Sequence, residues 1–305
     1  MKYEELRGWK HLAKENYDGA LFDFKSALDK STATISEKSY FLEILGDVYA
    51  IKSMCNEANL HYVKAIESLK VINKKLTDVV PALRVGRKLS DSLFDSRRYD
   101  ECLKRYEKVL SWCSTDSKES LLATPYLRHR IGLILYLKGE YESSITEFSK
   151  ALHLQKNLMQ TKLMSYNMFL NYVEGGEIVF ISTVMFCMGL VHEARQEFEW
   201  ARSQFTESLA IQIRYEKQFR LSDMFVSTLA HLALANSQLG DKHESNVALF
   251  GARRISAMKS TSDSKCSGNN SMENSEMKIA KFGHRNVLNL HSSWEATKEI
   301  IRACS

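Results

Sequence analysis

The chain has 305 residues, of which 44% are hydrophobic, so it is long enough to bury a large core. Thirteen glycines and two prolines leave little turn chemistry for a β-sheet, which favours an all-α protein. The 42 lysines and arginines exceed the 37 aspartates and glutamates only slightly, a balance too mild to indicate a nucleic-acid-binding protein.

Small and bulky residues recur at one fixed spacing six times along the chain. Each set begins with a small residue, followed by a second at 12, a bulky apolar residue at 16 and usually another small residue at 19. The sets are Gly8, Ala20, Phe24, Ala27; Gly46, Ala58, Tyr62, Ala65; Ser90, Cys102, Tyr106, Val109; Gly132, Ser144, Phe148, Ala151; Gly189, Ala201, Phe205, Ser208; and Ala233, Ser245, Leu249, Ala252. Because positions 12, 16 and 19 share one helical face, each set predicts two antiparallel helices that meet at their small residues. The bulky residue is expected to fill the space against the next hairpin.

The six sets resemble tetratricopeptide repeats (TPRs) and cover roughly residues 1 to 256. An aromatic residue three positions before the second small residue, at Tyr17, Tyr99, Tyr141 and Phe198, is a further feature of that family. The resemblance implies an all-α, right-handed superhelical solenoid of about six helical hairpins. The hairpins are expected near 1–34, 39–72, 83–116, 125–173, 178–215 and 226–256.

The steps between successive sets are longer than the 34 residues of a standard TPR. A proline usually ends the standard repeat, but here none does, so the second helices are expected to run on by about one or two turns. Pro81 and Pro125 are expected to precede the first helices of hairpins 3 and 4. Long repeats of this kind are similar to those of kinesin light chains and cell-polarity adaptor proteins.

The step from Gly132 to Gly189 is the longest. It predicts either an overlong second helix that projects from the solenoid or two helices with an inserted loop, within residues 152–180. A projecting helix would expose Met159, Met164 and Tyr166 as an adaptable binding surface. Alternatively, these side chains cover the hairpin beside them.

The apolar run from Ile178 to Val191 has 14 residues, whereas a membrane span needs about 20. The first ten residues are charged and lack the apolar core of a signal peptide. We therefore expect no membrane partner, and a location in the cytoplasm, with the nucleus as the alternative.

Residues 257–276 are rich in serine and asparagine and predict a flexible linker. Beyond them, Val287, Leu290, Trp294 and Ile301 fall at helical spacing and predict an amphipathic helix over 284–303. This helix is expected to cap the last hairpin. The alternative is that it folds back into the concave groove and competes with a partner.

Motifs of catalysis or cofactor binding do not emerge from the sequence. The six cysteines form no CxxC pair, and no glycine-rich phosphate loop is present. The segment from His192 to Gln196 has glutamine where a zinc-binding HExxH motif needs its second histidine. We therefore predict that the protein is not an enzyme and binds neither a metal nor a cofactor.

The resemblance implies a concave groove lined by the first helix of each hairpin, at the positions three before and one after the first small residue. These residues are Glu5 and Trp9, Glu43 and Asp47, Arg87 and Asp91, His129 and Leu133, Phe186 and Leu190, and Ala230 and Leu234, with Phe94 and Tyr136 further along the same helices. The series runs from acidic to apolar and would suit a peptide with basic residues at one end and an apolar anchor at the other. Alternatively, several of these side chains simply pack helix against helix.

TPR domains that hold the acidic tails of chaperones carry lysine, asparagine and arginine at these positions. Here Glu5 and Asp47 would repel such a tail, so chaperone tails are not expected partners. The sequence thus predicts a non-enzymatic adaptor or scaffold that binds a protein segment, a peptide or a helix, in its groove. The alternative is a regulatory subunit or sensor whose C-terminal helix gates that groove.

Overall fold

The computed structural model describes residues 3–30, 35–72, 79–113, 118–160, 176–215 and 223–263, and within these ranges it contains twelve α-helices and no strand. The helices are α1 (Tyr3–Ala13), α2 (Tyr17–Asp29), α3 (Ile35–Ile51), α4 (Cys55–Ile72), α5 (Val79–Asp95), α6 (Tyr99–Leu110), α7 (Lys118–Leu137), α8 (Tyr141–Gln160), α9 (Gly176–Ala194), α10 (Phe198–Arg214), α11 (Asp223–Gln238) and α12 (Lys242–Asp263). They pair in chain order as six hairpins, numbered 1 to 6.

The two helices of every hairpin are joined by the same three-residue turn. Its middle residue has a positive φ each time: Glu15 (58°), Ser53 (60°), Arg97 (56°), Gly139 (79°), Gln196 (62°) and Gly240 (82°). In each turn the N–H of the following residue donates to the carbonyl five residues back, for example from Glu140 to Leu135 at 2.9 Å. This hydrogen bond caps the C-terminal end of the first helix, and the turn reverses the chain direction so that the second helix runs antiparallel to the first.

In hairpins 1, 2, 4 and 5, the ring at position 16 lies against the bare glycine backbone of the first helix. A methyl group added at Gly46 would stand 2.5 Å from the Tyr62 ring, and one at Gly132 would stand 2.8 Å from Phe148. The small residue at position 12 comes equally close, since the Ser144 hydroxyl donates to the Gly132 carbonyl at 2.8 Å. The bulky residue therefore packs within its own hairpin. Phe205 also contacts the next hairpin, as predicted from the sequence, with its ring centroid 5.6 Å from that of His231.

The chain divides into two compact units between Leu127 and Arg128, inside α7. The first unit contains hairpins 1 to 3 and the start of α7. The second contains the rest of α7 and continues through α12. In both, the core consists of the faces that carry the six sets: Phe24, Ala58, Cys102, Phe148, Ala201 and Phe205, among others, are fully buried.

Two boundary predictions are wrong. Pro125 does not precede the first helix of hairpin 4 but lies inside α7, which begins seven residues earlier at Lys118. A proline there removes one helical hydrogen bond, and the helix nevertheless continues. The linker expected from residue 257 cannot begin before 264, because α12 continues to Asp263 and its last turns contain neither glycine nor proline.

The predicted projecting segment beyond Gln160, the remainder of the linker and the helix over 284–303 lie outside the described residues. At the edge of the first of these, Met159 is 40% exposed. In the part of the chain that the structure describes, no helix has the length and apolar character needed to cross a bilayer.

The shared turn gives a stability prediction. Gly139 has a φ of 79°, and a Cβ added there has no atom within 4 Å. Alanine at this position would therefore cause no steric clash, and its only cost would be the unfavourable positive φ. We expect Gly139→Ala to lower the free energy of unfolding by about 1 kcal/mol in urea titrations. Gln196→Gly, at the equivalent turn of hairpin 5, is the opposite change and should be neutral or stabilising. Equal stability of Gly139→Ala and wild type would contradict this account of the turn.

Candidate functional site

Most of the predicted groove residues lie between consecutive first helices. Buried side chains are those of Glu43, Asp47, Arg87, Asp91, Phe94, His129, Leu133, Phe186, Leu190 and Ala230. Half-buried side chains are those of Glu5, Trp9, Tyr136 and Leu234. The structure therefore brings the central positions together as helix–helix contacts, and peptide binding by them stays a prediction.

In the first unit, the acidic residues of α3 meet basic residues of α5. Arg84 donates from two nitrogens to the two carboxylate oxygens of Glu43, each at 2.8 Å. Lys88 lies between both acids, with its Nζ 2.7 Å from Glu43 Oε1 and 2.6 Å from Asp47 Oδ2. Two carboxylates thus face two cations, and the acidic end of the predicted groove is offset by charges of the chain itself.

The pKa values follow from burial and these charges. Burial alone would raise the pKa of Glu43, but Lys88 and Arg84 outweigh it and hold that pKa below its ordinary value. For Asp47, burial together with the nearby Glu43 charge outweighs Lys88 and raises the pKa. Burial lowers the pKa of Lys88, yet the two carboxylates raise it by more, so the ammonium stays charged.

Tyrosines supply further donors to the acidic residues of the first unit. The Tyr62 hydroxyl donates to Asp47 Oδ1 at 2.8 Å. Asp91 accepts hydrogen bonds from Tyr106 and, at 3.1 Å, from Tyr126. Arg87 lies 3.6 Å from the Asp91 carboxylate and stacks over the Tyr126 ring with its guanidinium carbon 5.6 Å from the centroid.

Arg84, Lys88 and the three tyrosines are not among the site residues predicted from the sequence. Arg84 and Lys88 follow Glu43 and Asp47 by 41 residues and carry the opposite charge. The step between these two sets, from Gly46 to Ser90, is 44 residues and leads from Glu43 to Arg87 and from Asp47 to Asp91, so the spacing of the sets does not identify these partners. The tyrosine hydroxyls do have a signal in the sequence, since Tyr62 and Tyr106 occupy position 16 of their sets, where hairpins 1, 4 and 5 carry phenylalanine.

In the second unit, His129 and Cys187 form a buried pair, with Nε2 and Sγ 3.7 Å apart. The histidine ring also packs on Phe148 and Phe180, with centroids 5.6 and 5.4 Å away. Burial and the nearby Arg130 charge lower the pKa of His129 to about 3, while burial raises the pKa of Cys187 to about 12. A nucleophilic cysteine needs the reverse, a thiolate beside an imidazolium, so this pair is a packing contact.

Phe186 and Leu190 also face the chain itself. The Phe186 ring packs on Phe205 of its own hairpin at 5.6 Å and on His231 of the next first helix at 5.7 Å. His231 Nδ1 lies 3.0 Å from Glu193. The apolar end of the predicted groove is therefore part of the core of the second unit.

Two of the four half-buried lining side chains, Glu5 and Trp9, lie in hairpin 1 beside Tyr40 of hairpin 2, which is not a predicted lining residue. We call these three residues the N-terminal surface. Tyr40, on α3, is 41% exposed and its hydroxyl donates to Glu5 Oε1 at 3.2 Å. Trp9 is half-buried, with its ring edge-on to Phe24 at 5.3 Å. An acid, a hydroxyl and an indole ring thus lie together at the edge of the first unit.

The described residues contain no candidate metal site. Among those residues, no group of three or more histidine, cysteine, aspartate or glutamate side chains is placed to hold a metal ion.

Comparison with known proteins identifies the fold. No protein-family model matches the chain, and no curated protein matches it in sequence. Solved structures do match. BtubC (BKLC) from P. vanneervenii is similar over 90% of this chain and 96% of its own, with a TM-score of 0.63 and 13% identity. The apo form of RapI is similar over 99% of this chain and 97% of its own, with a TM-score of 0.61 and 16% identity.

A putative kinesin light chain from Podospora anserina, described as having TPR-like repeats, matches 75% of this chain and 99% of its own, with a TM-score of 0.54 and 14% identity. These likenesses confirm the fold class predicted from the six sets, an all-α protein of TPR-like helical repeats. At such low identities they show the fold alone.

The pKa of His129 gives a prediction of pH dependence. Unfolded histidine takes up a proton near pH 6.5, whereas folded His129 does so only near pH 3, so stability is lost as the pH falls between these values. The loss approaches 1.4 kcal/mol per pH unit, or roughly 2 kcal/mol between pH 6.5 and 5. His129→Gln should remove this share in urea titrations at the two pH values.

The exposed His243→Gln serves as the matched control and should keep the wild-type pH dependence. If His129→Gln keeps it as well, the histidine is not buried in its neutral form.

Proposed function

We propose that the protein is a non-enzymatic adaptor that holds a segment of a partner protein on the N-terminal surface. The observation that carries the proposal is the contrast between the central lining residues and the side chains on α1 and α3. The central lining residues are buried against the chain itself, whereas Glu5 and Trp9 of α1 are half-buried beside Tyr40 of α3, which is 41% exposed. The TPR-like fold supports it, because repeat proteins use such helix surfaces for binding.

The chemistry of this surface indicates the kind of segment that fits. An indole ring offers a large apolar contact, and tryptophan and tyrosine are typical anchors of protein interfaces. Glu5 adds a carboxylate with room for a second hydrogen bond beside that of Tyr40. A peptide or helix with an apolar anchor next to a lysine or arginine would satisfy both groups.

The buried lining residues take an indirect part in this proposal. Glu43 and Asp47 hold α3 against α5 through Arg84 and Lys88, and α3 carries Tyr40. They therefore fix the position of one side of the surface. The proposed partner is a protein, not a nucleic acid, a membrane or an acidic chaperone tail, and the proposed setting is the cytoplasm or nucleus.

The test compares two double variants in quantitative affinity capture from source lysate. Glu5→Lys with Tyr40→Ser changes the N-terminal surface and leaves the Trp9–Phe24 contact in place. Phe22→Ser with Leu60→Ser removes two exposed side chains, 68% and 51% accessible, from the second helices. We expect the first variant to lose its specific partners by at least about tenfold, equivalent to 1.4 kcal/mol, and the second to keep them.

Retention of all partners by the surface variant, with both variants folded by circular dichroism, would refute the proposal. The gating alternative is tested in the same assay by deleting residues 264–305. If the C-terminal segment competes for the surface, the deletion strengthens capture; if the segment caps the last hairpin, it lowers the melting temperature instead.

A further inference from the structure

Two positions of the repeat change together along the chain. One follows the first small residue directly, and the other is position 16. The pairs are Trp9 with Phe24, Asp47 with Tyr62, Asp91 with Tyr106, Leu133 with Phe148, Leu190 with Phe205 and Leu234 with Leu249. A tyrosine thus stands at position 16 only where an aspartate stands at the other, and an apolar residue there goes with phenylalanine or leucine.

The structure gives the reason for this pairing within one hairpin. Asp47 and Asp91 are 8% and 6% exposed, so each carboxylate needs donors from the chain. The hydroxyl of Tyr62 reaches Asp47 at 2.8 Å, and that of Tyr106 reaches Asp91. Phenylalanine would leave each aspartate without this donor.

Each aspartate also binds the first helix that follows its own hairpin. Asp47 accepts from Lys88 of α5 at 2.6 Å, and Asp91 accepts from Tyr126, near the middle of α7, at 3.1 Å. One carboxylate therefore ties together three helices, two of its own hairpin and one of the next. Both contacts lie within the first unit.

From these contacts we infer that Asp47 and Asp91 form a polar lock that specifies which hairpin packs next. The six hairpins share the same small and bulky residues, so their apolar faces resemble one another and allow wrong pairings. A wrong neighbour in the first unit would remove the donor that the next first helix supplies, Lys88 for Asp47 or Tyr126 for Asp91. The buried carboxylate would keep only the donors of its own hairpin, which disfavours that pairing. Buried polar residues that set register in coiled coils act by the same principle.

A double variant separates the effect of the polar lock on hairpin pairing from its effect on stability. Asp47→Leu with Tyr62→Phe gives hairpin 2 the apolar pair of hairpins 4 and 5, while Lys88 keeps its contact with Glu43 at 2.7 Å. Asp47→Leu leaves the buried Tyr62 hydroxyl without this acceptor, and Tyr62→Phe leaves the buried Asp47 carboxylate with Lys88 but without the tyrosine donor. The double change removes both members of the pair and so should recover most of the stability that either single change loses.

The experiment measures stability and correct assembly separately in the full chain. Urea titrations of the four proteins form a double-mutant cycle, in which we expect each single variant to lower the folding equilibrium constant at least tenfold and the double variant to recover most of it. Refolding at high concentration followed by size-exclusion chromatography then measures swapped dimers. We expect at least a threefold larger dimer fraction for the double variant than for wild type.

Leu133→Ala, a destabilised variant outside the lock, is the control and should not raise the dimer fraction to the same extent. Additive effects in the cycle, or wild-type dimer levels in the double variant, would overturn the inference. If Asp47→Leu does not fold, Tyr62→Phe with Asp47→Asn repeats the cycle with nearly unchanged shape. The Glu5 and Tyr40 variants do not touch this pair, so the binding proposal succeeds or fails independently.

Discussion

The contact between a ring at position 16 and the bare glycine backbone of the first helix is the constraint on which hairpins 1, 2, 4 and 5 depend. Because Gly46 and Gly132 have no side chain, the rings of Tyr62 and Phe148 occupy the space that a methyl group would need. This close approach also brings position 12 onto the same turn, where the Ser144 hydroxyl reaches the Gly132 carbonyl. Close packing of two helices at small residues is what the spacing predicts.

Once the hairpins are this tight, the side chains next to the first small residue turn toward the neighbouring first helix. In the first unit they are charged and pair as Glu43 with Arg84 and Asp47 with Lys88. In the second they are aromatic or apolar and pack, as Phe186 does on His231. Positions that line a groove in the implied family thus become internal contacts here, which is why the proposed binding surface is formed by Glu5, Trp9 and Tyr40.

The fold could be predicted from the sequence because each set places four contacting residues within 19 positions of one another. The burial of the lining residues could not be predicted in this way, since the partners of Glu43 and Asp47 lie 41 residues away on another hairpin. The start of α7 was predicted wrongly because a proline is typical of the first turn of a helix. In the structure α7 begins before Pro125 and continues through it. The burial of His129 depended on Phe180 and Cys187, which follow the long insertion.

The central claim is that the glycine–ring contact determines how closely the helices of a hairpin pack, and Gly132→Ala tests it most directly. Urea titration should show a loss of about 1–3 kcal/mol, because the methyl group meets the Phe148 ring. Adding Phe148→Leu to the same chain should recover part of that loss, since the smaller side chain makes room. An increase of about 1 kcal/mol for Gly132→Ala, as for an ordinary helical glycine, would contradict the account.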